Sequence, residues 1–333
     1  VKNLTWQNPE QLFVAQVLIN KVKSKCCGIK VIKNLTVMKT IPMVPACQNM
    51  EELHKLTDLI CEYIHPQMVI LFGYYAGMDF HNALKGYEML VIMEEKPTLT
   101  VRELVGYLKT HYPLDNRKEK NLSLHIFTAE FIHHRTSLSY FFYAIRKEGI
   151  LLYESENCIL KESVAYKPTR SYQQIVGLSD QCLALGRAFL QDAQRHIDGG
   201  IPRLAAYYLY QAVVQFLRAG NMVHYGFLAE GREDLVTTYL KIRYCTKEIA
   251  ALWYGDGQLA EWTLFGRLQS FSYKTRFSYP YTVNSDLLTR CLTFTCKTEK
   301  VIKKFCKERI KFLETLSKSR ENSQEEKSDL SKE

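Results

Sequence analysis

The chain of 333 residues has no apolar run approaching the ~18 residues that a membrane-spanning helix needs, and its first residues show no charged-then-apolar export signal. Its ten cysteines are scattered, without the CxxC spacing that predicts a structural zinc site. Because neither an export signal nor a disulfide framework is visible, we expect free thiols in a reducing compartment. The sequence therefore favours a cytoplasmic protein with no membrane partner and no metal site.

Composition and charge are those of a globular chain with a basic surface. Hydrophobic residues make up 47% of the sequence and charged residues 24%, which predicts a folded core rather than disorder. A chain of this length most often forms about two domains. The formal net charge of +9 favours anionic partners, because surface potential steers association without dictating a fold.

Residues 49–155 alternate between helical and strand patterns. Short apolar or alternating runs that predict strands occur at 68–72, 87–93, 121–128 and 150–155. Apolar residues at helical spacing occur before and between them, and one helix is predicted over 130–148. This alternation predicts an α+β domain built on one sheet. A helix and extended segment over 1–48 precede the domain, and a linker over 156–170 follows it.

The second half of the chain reads as helix throughout. Apolar residues recur at helical spacing over 171–316, and the connections between the predicted helices are short. These helices include one over Leu235–Leu252 and a long last helix over Leu287–Leu316. Four or five such helices predict an antiparallel bundle. The tail, residues 317–333, has almost no apolar residues and predicts disorder.

Two groups of motifs carry a resemblance to known families. The run "VILFGYYAG" followed by "YEMLVIM" resembles the core of a minimal nucleotidyltransferase of the polymerase-beta type. The runs "AAYYLYQAVVQFLRAG" and "AEWTLFGRLQSFSYKTRFSYPYTVN" are similar to HEPN helical bundles. Residues 49–316 thus resemble bacterial proteins in which the two domains are fused. The resemblance implies a nucleotidyltransferase-like mixed sheet with helices over 49–155 and an all-α HEPN-like bundle over 171–316.

The nucleotidyltransferase motif is degenerate in this chain. In that family a glycine–serine turn holds a triphosphate at a helix N-terminus, and carboxylates on adjacent strands hold Mg²⁺. Gly73 matches the glycine, but Tyr74 stands at the serine position. The three carboxylate positions fall on Gly86, Glu88 and either Ser123 or His125. Because only one of the three positions is an acid, we expect no Mg²⁺ and no other cofactor. The degenerate binding motif is reduced to Gly73, Tyr74 and Glu88. We expect the Glu88 side chain to be solvated.

The bundle contains one weak candidate for catalysis. Many HEPN domains are metal-independent ribonucleases in which an arginine is followed by a histidine after four to six residues. Such a pair can stabilise charge on a phosphate while the imidazole handles the proton. Arg218 and His224 match this spacing, but at the end of the second bundle helix, where the signature is not expected. We favour the alternative of an exposed arginine and a loop-facing histidine.

A stripe of lysines on the last helix indicates a second candidate surface. Lysines recur at spacings of three and four on one helix face, at Lys297, Lys300, Lys304, Lys307 and Lys311. Another face is apolar and predicted to meet the core, through Ile302, Phe305, Phe312 and Leu316. Residues 297–311 hold seven basic groups and two acids, a net charge of +5. The stripe indicates either a solubilising face or an electrostatic footprint for nucleic acid.

Three functions remain open from the sequence. The first is a non-catalytic nucleotide- or RNA-binding protein that forms a homodimer through its bundle, where Tyr207, Tyr208 and Tyr210 offer aromatic surface. The second is a toxin-like ribonuclease that uses Arg218 and His224. The third is a purely structural interaction module with no ligand.

Overall fold

The computed structural model describes residues 50–76, 86–96, 101–112, 121–135, 137–156, 166–228, 235–243, 245–254, 260–278 and 280–330. The N-terminal segment predicted over 1–48 lies outside these residues, as does most of the predicted linker. Across the described ranges, each helix is too short or too polar to cross a membrane.

A mixed sheet of four strands lies at the centre of the first half. The strands are β1 (Met68–Phe72), β2 (Gly86–Met93), β3 (Asn121–Thr128) and β4 (Ile150–Glu154), in the order β3-β2-β1-β4. Strand β1 pairs antiparallel with β2 and β4, whereas β2 and β3 run parallel. The predicted α+β chain, with a mixed sheet followed by a helical region, is confirmed at this level.

One face of the sheet is covered by α1 (Met50–Ile64) and α2 (Val101–His111). Leu53, Leu56 and Ile60 recur at helical spacing on α1 and are buried against the sheet residues Val69 and Leu71. Because alternate strand residues point to opposite faces, the neighbours of these sheet residues face away, toward the second half of the chain.

The other face is covered by α3 (Ala129–Arg135) and α4 (Tyr140–Glu148), so the single helix predicted over 130–148 is wrong. Ser139 has an extended backbone and its hydroxyl accepts a hydrogen bond from the Phe142 N–H, which makes it the N-cap of α4. The apolar spacing continues across the break, so the periodicity of the sequence alone does not reveal it.

The helical region comprises α5 (Pro168–Asp198), α6 (Pro202–Tyr225), α7 (Leu235–Leu240), α8 (Lys247–Tyr254), α9 (Ala260–Phe277) and α10 (Ser285–Leu330). The single helix predicted over Leu235–Leu252 is wrong, because α7 ends at Leu240. The Tyr239 hydroxyl ties the two pieces together by donating to the carbonyls of Ile249 (3.1 Å) and Ala250 (3.2 Å). Helix α10 continues to Leu330, through most of the tail for which composition predicts disorder.

A third core joins the sheet to the bundle. It contains Phe72 of β1, Phe141 of α4, and Tyr225 and Phe227 at the end of α6. Gly226 ends α6 in a left-handed conformation (φ 80°) and lies close to Ser139, since a Cβ there would come within 3.3 Å of the Ser139 Cα. The Ser139 hydroxyl donates to the Tyr225 carbonyl, so the cap of α4 also fastens α6.

We expect Ser139→Ala to lower the free energy of unfolding by about 2–3 kcal/mol, because it removes a cap and leaves the buried Tyr225 carbonyl without this donor. Urea denaturation measures the change. Thr289→Ala is the matched control, since this exposed hydroxyl bonds a carbonyl one turn back in its own helix (3.0 Å). The control should change stability by less than about 0.5 kcal/mol. Equal effects of the two substitutions would contradict the double role of Ser139.

Candidate functional site

The glycine turn predicted from the nucleotidyltransferase resemblance follows β1. Gly73 has φ 78° and opens a short 3-10 turn over Gly73–Ala76. Glycine adopts this left-handed conformation at no steric cost. A Cβ built on Gly73 would overlap Oε2 of Glu88, so a carboxylate already fills the space beside the turn. Tyr74 belongs to the turn, and its side chain lies outside the described part of the structure.

Glu88 is buried, and the expectation of a solvated strand residue is wrong. Its side chain is 1% exposed, because β2 is covered on both faces. In the register of the sheet, Glu88 lies opposite Phe72 on β1 and opposite Ser123 on β3. His125 follows Ser123 on the same face of β3. The structure thus places Glu88, Ser123 and His125 on the same face of adjacent strands.

His125 is held by hydrogen bonds on both ring nitrogens. Its Nε2 lies 3.2 Å from the Ser123 hydroxyl, and its Nδ1 lies 2.6 Å from the Tyr225 hydroxyl. The Tyr225 hydroxyl donates its proton to the Lys241 carbonyl (2.9 Å). With that proton committed, the Tyr225 oxygen accepts from the Nδ1–H of His125, and Nε2 of the ring faces the Ser123 hydroxyl. Each ring nitrogen of the buried imidazole thus has a hydrogen-bond partner. The bond to Tyr225 also links β3 to α6.

A cysteine that the sequence reasoning missed lies in the same region. The Cys245 Sγ is 3.5 Å from Nδ1 of His224, on the buried end of α6. A Cys–His pair can act as a nucleophile only when the thiol ionises. Burial, and then the Glu88 carboxylate, raise the pKa of Cys245 well above its ordinary value, so the thiol stays protonated. We call Glu88, Ser123, His125, His224, Tyr225 and Cys245 the seam cluster.

The arrangement of the seam cluster offers little chemistry to a nucleotide. The described residues contain no group of three histidine, cysteine or acidic side chains that could hold a metal ion. The rings of Phe72 and Phe141 pack against His125 at centroid distances of 5.1 and 5.9 Å. The site that the resemblance implies is thus packed with side chains from both halves of the chain.

Arg218 and His224 do not form one surface. They lie six residues apart on α6, which separates them by about 120° around the helix axis and about 9 Å along it. Burial raises the pKa of the Cys182 thiol on α5, and the positive charge of Arg218 lowers it by a smaller amount. His224 is 3% exposed and packs edge-on against Phe141. The expected loop-facing histidine is therefore wrong.

The five stripe lysines, Lys297, Lys300, Lys304, Lys307 and Lys311, are all exposed. Glu299 forms an ion pair with Arg187 of α5 (2.7 Å), which turns its carboxylate away from the stripe. Lys304 pairs with Glu248 of α8 at 2.9 Å, an exposed contact worth little. Glu248 and the exposed Glu308 both raise the pKa of Lys304, so the lysine stripe is a basic surface on α10 with acids beside its middle residue.

The core-facing side of α10 is partly different from the prediction. Ile302 and Phe305 are buried as predicted, but Phe312 is 38% exposed and its neighbour Leu313 is buried instead. Arg309 is also buried, with its guanidinium 4.6 Å from the Phe312 ring centroid. Burial lowers the pKa of Arg309 to about 9, so it remains protonated at neutral pH. Although it lies within 297–311, Arg309 adds little to the basic surface.

No protein-family model, curated protein or solved structure was found to match the chain. The nucleotidyltransferase–HEPN resemblance therefore stays a prediction from the quoted motifs. The two features of the described residues that bear on function are the buried seam cluster and the exposed lysine stripe.

We expect Gly73→Ala to lower the free energy of unfolding by about 3 kcal/mol, from a strained backbone and from overlap with Glu88. In a Glu88→Ala background the overlap is gone, and the added cost should fall to about 1 kcal/mol. A double-mutant cycle by urea denaturation measures this coupling.

Gly177→Ala on α5 is the matched control for the cycle, since a Cβ there meets nothing within 4 Å. It should stabilise the protein by about 0.5–1 kcal/mol in both backgrounds. If Gly73→Ala costs the same with and without Glu88, the carboxylate does not occupy the turn.

Proposed function

We propose that the protein binds RNA, or a related nucleotide polyanion, without catalysing its conversion, on a degenerate nucleotidyltransferase–HEPN scaffold. The observation that carries the proposal is the lysine stripe on α10, five exposed lysines on one helix face. Ammonium groups on long stems suit contact with phosphates, whereas base-specific reading usually needs planar donors. Binding through the stripe is therefore expected to be independent of base sequence.

The buried site supports a non-catalytic function. Nucleotidyl transfer needs clustered carboxylates, because only they offset the dehydration of Mg²⁺. At the three aligned positions this chain has Gly86, Glu88 and the Ser123–His125 pair, and the carboxylate of Glu88 lies against Gly73. A negative group at the turn also opposes a triphosphate there. We therefore propose that the function requires no Mg²⁺ or other cofactor.

The ribonuclease alternative has less support. A general base must come within hydrogen-bond reach of the proton it removes. His224 is buried between Phe141 and Tyr225, and Arg218 lies on another side of α6. RNA could reach this imidazole only if α4 and α6 separated.

The location that we propose is the cytoplasm. The six described cysteines are free thiols: Cys61, Cys182, Cys245, Cys291, Cys296 and Cys306. Free thiols on this scale are typical of a reducing compartment.

We expect the full chain to bind single-stranded RNA with micromolar or weaker affinity at low salt. The log of affinity should fall with the log of salt at a slope of about −0.7 per phosphate contact, because counterions are released. Replacing Lys300, Lys304 and Lys307 by Gln should reduce the steepness of that slope by about two units and leave the unfolding midpoint unchanged. Fluorescence anisotropy with a labelled RNA measures the slope.

The matched control replaces three exposed lysines away from α10, Lys55, Lys147 and Lys167, by Gln. It removes the same charge, so any effect of net charge alone appears in both variants. The proposal fails if wild-type protein binds no RNA at low salt, or if the two triple variants have the same slope. Cleavage of the probe would instead favour the ribonuclease.

We also propose a homodimer that forms through the bundle. Tyr207, Tyr208 and Tyr210 are half-buried, and Tyr208 stacks on His196 (5.3 Å, 4°) within the chain. Nearby Leu204, 42% exposed, offers apolar surface on the same helix. Light scattering at micromolar concentration should give about twice the chain mass of 38.8 kDa. A mass near that of one chain would contradict the dimer.

A further inference from the structure

Two aromatic rings stand out of the last turn of α9. Tyr273 and Phe277 are 63% and 66% exposed, the highest values among the large hydrophobic side chains of the described residues. They are one turn apart on the same helix face, with ring centroids 5.1 Å apart and planes tilted by 43°. We call these two residues the aromatic platform. Paired apolar rings left in water are typical of a binding surface.

The surroundings of the aromatic platform are basic. The sequence has no acid between Glu261 and Asp286, whereas Arg267, Lys274 and Arg276 in this stretch are exposed. The Arg276 guanidinium lies 5.2 Å from the Phe277 ring centroid, close enough to a base stacked there to contact it as well. A basic surface attracts anionic partners, so this charge pattern favours a polyanion.

The C-terminal end of a helix normally carries a partial negative charge, which would oppose a polyanion. In α9 that end is covered by arginines. Arg203 of α6 donates through Nε to the Thr275 carbonyl (2.6 Å), and Arg276 donates to the Ser272 carbonyl (2.7 Å). The helix end beside the platform is therefore positive rather than negative.

The platform and the lysine stripe lie on two helices that pack together, α9 and α10. Arg290 is exposed on α10 seven residues before Lys297, about 20° away around the helix, and so extends the stripe by two turns. Helix α9 packs against α10, where the ring centroids of Phe265 and Phe294 are 5.1 Å apart, so the exposed Arg267 and Arg290 belong to adjacent helices. On α9 the exposed Lys274 lies two turns after Arg267 on the same helix face and is next to Tyr273 of the platform in the sequence.

We propose that the aromatic platform stacks the bases of single-stranded RNA whose phosphates follow the lysine stripe. Base stacking on aromatic rings is tolerant of sequence, because every base has a flat face. A duplex keeps its bases stacked on one another and cannot offer them. The inference rests on the proposed RNA binding and assigns to it a preference for single strands.

The test compares a labelled single strand of ~16 nucleotides with the duplex of the same sequence, by anisotropy on the full chain. Replacing Tyr273 and Phe277 by Leu keeps an apolar surface but removes the ring faces. We expect single-strand affinity to fall about tenfold or more, with the salt slope unchanged since no charge is lost. Duplex binding should change little. The swap of Tyr273→Phe with Phe277→Tyr should keep wild-type affinity.

Four outcomes separate this inference from the proposed function. If wild-type protein binds no RNA, both fail. If the lysine variant shows the reduced salt slope while the leucine variant binds single strands as the wild type does, the platform inference alone fails. Equal affinity of the wild type for single strand and duplex also overturns it. A leucine variant that changes the mass by light scattering but not the RNA affinity assigns the rings to a second copy of the chain and overturns it too.

Discussion

Tyr225 joins the sheet to the helical bundle through its backbone carbonyl and its side-chain hydroxyl. Its carbonyl accepts a hydrogen bond from Ser139, the cap of α4, and its hydroxyl bonds to His125 of β3 and to the Lys241 carbonyl. The ring itself is buried against Phe141, with 4.6 Å between the centroids. Since each of these partners belongs to a different segment of the chain, one residue fixes the mutual position of β3, α4 and α6. The seam cluster and the covering of the sheet both follow from that constraint.

The covering decides where ligands can bind. On one face of the sheet Glu88, Ser123 and His125 are buried, and the rings of Phe141 in α4 and Tyr225 in α6 pack against His125. Burying a carboxylate away from water costs free energy unless nearby groups compensate for it. A further anion bound in the same place would therefore be disfavoured. The outer surface of the bundle carries the opposite charge and is open to solvent. We therefore propose polyanion binding on α9 and α10 and a structural role for the sheet.

Local pattern was enough to predict the strands, since β1 and β2 are short apolar runs and β3 alternates. It was also enough to find the exposed lysine stripe. Local pattern failed where residues distant in the sequence determine the local structure. The break at Ser139 depends on Tyr225, 86 residues further on. The burial of Glu88 depends on α6, and Cys245 meets His224 only through the fold. The platform was missed because the spacing of Tyr273 and Phe277 is equally typical of a core face.

The covered sheet limits which charged residues its strands could carry. Gly86 and Glu88 lie two residues apart on the same buried strand, so aspartates placed at both positions would face the rings of α4 and α6 instead of water. Two like charges there would find neither solvent nor a metal, and each would be penalised by desolvation. Paired acids on this strand would therefore require the helices that cover the sheet to lie elsewhere.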